Sequence, residues 1–187
     1  MNIFYLDKDP VKCAKMHVDK HVVKMIVEYA QLLSTAHRVL DGTESVELSK
    51  NGRKIKRYRF TNNYKESTYY LACHINHPSA VWARQSSLNY RWLYELFVAL
   101  CDEYTYRYGK RHATDEKLRV ALALTPTNIP GCAFTQPTPA MNHYPECIVE
   151  GDSLKSYHNY YIKAKKSFAK WTKRNIPDWY IFEKNMV

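Results

Sequence analysis

The chain has 187 residues, with 28 Lys and Arg against 18 Asp and Glu, a net charge of +10. That length favours one domain with enough core to fold unaided, and 45% hydrophobic against 25% charged residues excludes disorder as the main state. No run of about 18 apolar residues occurs, which excludes a membrane-spanning helix, and five glycines include no GxGxxG or GxxxxGK[ST] phosphate loop.

The opening Met1 to Asp7 lacks a basic segment followed by a long apolar run, so no signal peptide is expected. Asp9-Pro10 is a helix start, with Pro in the first helical position. Helix is expected from there to about Leu40, in two pieces broken near Val18-Asp19 and ended by Asp41-Gly42. Asn51-Gly52 lies between short alternating segments and predicts a hairpin. Thr61 to His77 is ambiguous. Asn76-His77-Pro78 then leads into a long helix from about Ser79 to Tyr108, capped by Gly109. Thr114 is expected to cap a short helix to about Leu124. Five prolines mark a long loop from Thr125 to Gly151, and a last long helix is expected from Asp152 or Ser153 to about Arg174. The fold expected is all-α: one compact multi-helix domain over residues 1–187, with a basic β-hairpin insertion at about 44–60 and a Pro-rich loop at about 125–151.

At about 100° per residue, His17, His21, Lys24, Glu28, Gln31 and Thr35 fall on one narrow line of an otherwise apolar helix. Such a seam is either the solvent face or the wall of an enclosed cavity. An exposed face usually carries several Lys and Glu, whereas two His, a Gln and a Thr suit a cavity, where Glu28 would act as acid or base and the imidazoles as proton carriers. His17 and His21 also have the i,i+4 spacing of metal ligands, and His74 and His77 add two imidazoles. No HExxH accompanies them, and no metal or cofactor is expected. Five Cys without a CxxC indicate reduced thiols in a cytosol-like compartment.

A basic chain with 16 Tyr suits nucleic acid, with cations for phosphate and rings for bases, although Tyr also lines helix contacts. Lys50, Arg53, Lys54, Lys56, Arg57 and Arg59 crowd the hairpin, which would either follow a phosphate backbone or stay soluble through its charge. Arg107, Lys110 and Arg111 form a second cluster at a helix end, where they would also complement the helix dipole. Lys163 and Lys166 add cations on the last helix, and Asn142 and His143 in the Pro-rich loop are candidates to hold a base.

Three ordered segments resemble the pyrimidine-dimer DNA glycosylases of the phage endonuclease V type. Asp19-Lys20-His21 is followed seven residues after the His by Glu28; Asn76-His77-Pro78 precedes a helix ending Tyr106-Arg107-Tyr108-Gly109; and Tyr160-Tyr161-Ile162-Lys163 is similar to a late run of that family. The resemblance covers residues 10–42 and 74–110 and a few positions near 160. Arginines that flank the family's Glu are Val27 and Gln31 here, so Glu28 and His21 carry over and the arginine roles do not. The chain as a whole also resembles a set of phage-encoded proteins, which implies the cytoplasm of a bacterial host.

The resemblance implies an N-glycosylase with abasic-site lyase activity. Its nucleophile is the chain's own first amine, here that of Met1, because Asn2 disfavours removal of Met. An α-amine as a class gives up its proton far more readily than Lys, attacks C1′ of the flipped nucleotide and forms an imine. Glu28 would be the general acid/base, with His21 and His17 beside it. Lys24, Gln31, Asn76, His77, Arg84, Asn142 and His143 are the candidate substrate contacts, and the partner is DNA. The alternative is a binder of nucleic acid or of a small nucleotide, such as a factor that counters host defence, on the same scaffold without catalysis.

Overall fold

The computed structural model describes residues 1–184 and is mainly α: eight helices and one two-stranded antiparallel hairpin among the described residues. Residues 3–6 are buried with no regular secondary structure. Helix α1 (Pro10–Met16) starts on Asp9, whose side chain accepts the Val11 and Lys12 amides. The chain is extended at His17 and Val18, and α2 (Asp19–Asp41) resumes. The expected break and end are thus observed.

Strands β1 (Thr43–Leu48) and β2 (Lys54–Arg59) pair from Thr43 with Arg59 to Leu48 with Lys54. Gly52 takes a positive φ of 73° in the turn, where a Cβ would be strained. Helix α3 (Asn63–Thr68) is followed by an irregular segment to α4 (Pro78–Gln85). The long helix expected from Ser79 is two. Ser86 is extended and accepts the Asn89 amide, which starts α5 (Ser87–Tyr108), and its hydroxyl donates to the Ala133 carbonyl of the Pro-rich loop at 2.5 Å. Helix α6 (Ala113–Leu118) is capped by His112 rather than Thr114 and stops before Leu124. Helix α7 (Ser153–Ala164) ends ten residues short of Arg174, and α8 (Asp178–Lys184) was not expected.

The core gathers Ile3, Phe4, Val22, Ile26, Trp82, Tyr90, Leu93, Phe97 and Tyr157, so residues 3–6, α2, α4, α5 and α7 share it. Two buried arginines lock the periphery. Arg38 on α2 donates to the carbonyls of Tyr58, Glu66, Tyr69 and Tyr70 and to the Glu66 carboxylate, at 2.6–3.0 Å, and so ties hairpin and α3 to the core. Arg107 on α5 donates to Glu103, Asp19 and the carbonyls of Lys15 and His17, at 2.7–3.0 Å. Asp19 also accepts the amide and hydroxyl of Thr172, which fastens the segment after α7. No helix among the described residues is long and apolar enough to cross a membrane.

Candidate active site

The polar seam of α2 divides. At its start, His17 is fully buried and saturated: Nδ1–H donates to the Cys13 carbonyl at 2.8 Å, and Nε2 accepts the Tyr29 hydroxyl proton at 2.8 Å. Tyr29 in turn accepts the Phe4 amide. This chain holds the imidazole neutral, and burial pulls its pKa down to about 4. His21 is buried too, with Nδ1 bonded to the Tyr161 hydroxyl at 2.7 Å and its ring stacked on Phe4 at 4.2 Å. Burial, with His17, Lys165 and Lys24 adding positive charge, pulls its pKa down to about 2. Residues 3–6 and α7 cover this half of the seam. The placement of His17 therefore corrects its expected role as a proton carrier: it is a core group with both nitrogens engaged.

The middle of the seam faces outward. Lys24 is exposed and bonds Glu28 at 3.1 Å, with Glu28 itself 16% exposed. Gln31 is half-buried one turn on, and Thr35 is buried, bonded through its hydroxyl to the Cys73 backbone.

The opening segment brings Met1 to the start of α4. Phe4 anchors it on α2, the Tyr157 hydroxyl donates to Asn2, and the Ser79 hydroxyl donates to the Met1 carbonyl at 3.0 Å. Ser79 lies in the first turn of α4, whose cap is His77; Nδ1 of His77 accepts the Ser79 amide at 3.1 Å. An accepting Nδ1 leaves the His77 proton on Nε2. Its pKa is lowered by burial, by the Met1 amine and by His74, and raised by Glu28. The Cys73 thiol is raised first by burial; the Thr35 hydroxyl lowers it, and the smaller effects are Glu28, which raises it, and the Met1 amine, which lowers it. Between the segment before α4 and the hairpin runs a groove of about 320 Å³ lined by Ile55 to Tyr58 and Ala72 to Ile75.

Met1 and His77 are therefore brought together through Ser79, and Glu28 stands on α2 with Lys24 and Gln31 along the same helix. Asn76 is exposed beside His77, and Arg84 is half-buried two turns along α4. Asn142 and His143 are exposed in the Pro-rich loop. Cys73, Tyr58 and Ser79 join the site without having been expected, because only the fold brings the hairpin and residues 72–79 alongside α2. Among the described residues no three His, Cys, Asp or Glu side chains are arranged to hold a metal.

The cations expected at phosphate separate into classes. Lys50, Arg53 and Lys54 are exposed around the hairpin turn, and Arg57 is half-buried. Lys56 pairs with Glu44 at 2.8 Å, and Arg59 with Glu47 and Glu66 at 2.7 Å each. Lys110 and Lys166 are exposed; Arg111 pairs with Asp115 at 2.7 Å, and Lys163 with Glu146. Arg107 is the correction: its side chain is fully buried against Asp19 and Glu103, so it faces the interior and no solvent. No family model, curated protein or solved structure matches the chain.

Proposed function

We propose that this protein excises a modified or damaged base from DNA and opens the resulting abasic site, with the Met1 amine as nucleophile and Glu28 as acid and base. The observation that carries the reading is that the first residue is fixed beside the His77 cap of α4, its carbonyl accepting from Ser79, whose amide donates to His77. The amine would attack C1′ as the bond to the base breaks, and the departing base anion takes a proton from water. Glu28 stabilises the cationic sugar and takes the proton that the attacking amine releases. Ring opening gives an imine, which acidifies the C2′ proton; its loss expels the 3′ phosphate, and water then releases the amine. His77, its proton on Nε2, serves as a hydrogen-bond donor to the leaving base or sugar oxygen. A damaged base stacks poorly, and extruding it costs only a few kcal/mol.

Borohydride reduction in the presence of an abasic oligonucleotide tests this. The expected result is a covalent adduct, abolished when an N-terminal extension blocks the Met1 amine and reduced about 10²- to 10⁴-fold in rate by Glu28→Gln. Binding of the oligonucleotide without any adduct, and without release of base from damaged DNA, would overturn catalysis and leave a nucleic-acid binder.

A further inference from the structure

The two faces of the hairpin differ. Side chains alternate sides along a strand, and the register sets Glu44, Val46 and Leu48 of β1 against Tyr58, Lys56 and Lys54 of β2. The opposite face, at positions 45, 47, 55 and 57, is half-buried. On the open face Val46 is 63% exposed and Leu48 70%, and each has a lysine directly across from it. Folding buries neither aliphatic side chain. A ribbon kept only soluble carries polar groups at such positions. Single exposed aliphatics are ordinary on a surface, whereas an adjoining pair rimmed by charge marks a contact surface.

The rim indicates the partner. From Thr43 to Arg59, six Lys and Arg stand against two carboxylates. Both carboxylates are already paired, Glu44 with Lys56 at 2.8 Å and Glu47 with Arg59 at 2.7 Å. Just past Leu48, Lys50, Arg53 and Lys54 are exposed around the turn. The hairpin therefore presents an apolar centre with positive charge at its tip and along the neighbouring strand. Duplex DNA is the complement of that face, since it sets base edges and base faces between two lines of phosphate. A two-stranded ribbon also fits the major groove, about 12 Å wide. A six-residue strand, about 20 Å long, follows roughly six base pairs. The root of the hairpin is fixed to the body by Arg38, which donates to the Tyr58 carbonyl at 2.9 Å.

We propose that the hairpin is a DNA-gripping arm, in which Val46 and Leu48 pack against the bases of a duplex while Lys50, Arg53 and Lys54 hold its phosphates. This rests on the DNA partner of the reading above and not on the chemistry of Met1.

Binding of the full chain to a short fluorescent duplex across a salt series, and to heparin, a polyanion without bases, tests the proposal. The double variant Val46→Thr/Leu48→Thr keeps β-branched side chains and deletes no buried contact, so it should melt with wild type. It should bind the duplex about 10-fold more weakly at every salt concentration, with the salt slope and heparin binding unchanged. Lys50→Ala/Arg53→Ala should instead lower the slope by about 2 and weaken heparin binding as well. Val46→Thr/Leu48→Thr binding the duplex as wild type does, losing heparin to the same degree, or melting well below wild type overturns the proposal. So does a wild-type chain that does not bind the duplex, or a wild-type dimer that this variant makes monomeric, which assigns the pair to a second copy. The borohydride assay on the same proteins separates the two readings. An adduct with duplex binding independent of the pair keeps excision and removes the arm; pair-dependent binding without an adduct removes excision and keeps the arm.

Discussion

Arg107→Met removes the guanidinium that joins α5 to the junction of α1 and α2. Four acceptors lose their donor: the carboxylates of Glu103 and Asp19 and the carbonyls of Lys15 and His17. The carboxylates are partly compensated, Glu103 by Arg174 at 2.9 Å and Asp19 by Thr172 at 2.7 Å. The carbonyls have no such substitute, and a desolvated acceptor left open costs about 1–3 kcal/mol. Breaking a buried ion pair from one side costs about 3–5 kcal/mol, and the compensation keeps the total within that range. For a chain of this size that corresponds to a melting temperature lower by about 6–20 °C. Urea unfolding with the slope unchanged is the assay. Arg107→Lys should retain part of the loss, because one ammonium cannot reach all four acceptors. A loss below about 1 kcal/mol in Arg107→Met, together with weakened DNA binding, would refute the clamp and return Arg107 to the phosphate contacts.

Acid should destabilise the protein well before its carboxylates titrate. Burial holds His17 and His37 neutral, each with its pKa pulled down to about 4, whereas in the unfolded chain they protonate from about pH 6.5 downward. The unfolded state therefore binds more protons between pH 6.5 and 4, and stability falls with falling pH by about 1.4 kcal/mol per unit for each histidine; a urea midpoint that is flat from pH 7 to 5 would contradict this. Arg38→Met should cost about 3–5 kcal/mol and loosen the base of the hairpin first, read as faster amide exchange over residues 43–59 than in α5.

Local chemistry made part of this architecture legible. The Asp9-Pro10 start, the break near Asp19, the Asn51-Gly52 turn and the Gly109 cap are each specified by residues within a few positions. The break at Ser86 was not legible, because apolar spacing continues across it and the residue that rewards the break is Ala133, 47 positions away. The end of α7 was hidden for a related reason. Phe168 and Trp171 continue the aromatic pattern of the helix, yet Phe168 packs edge-on to His21 and Trp171 Nε1 donates to the Met16 carbonyl. In the site, Glu28 could be read from its place on the seam. The burial of His17 and His21 could not, because helical periodicity says which residues share a face and not that residues 3–6 will lie across half of it.

Charge pairing changes what the excess of cations can do. A pair such as Lys56–Glu44, with 61% and 46% of its side chains exposed, is worth little in water, so a phosphate could displace Glu44 at small cost, and Lys56 stays available to a polyanion. Arg107 differs in kind: its partners are inside the protein, and taking it away would unfold part of the structure. Lys50, Arg53 and Lys54 pair with no carboxylate among the described residues and need only surrender their counterions. If DNA binds along the groove, the hairpin turn supplies its salt-dependent, sequence-blind share of affinity.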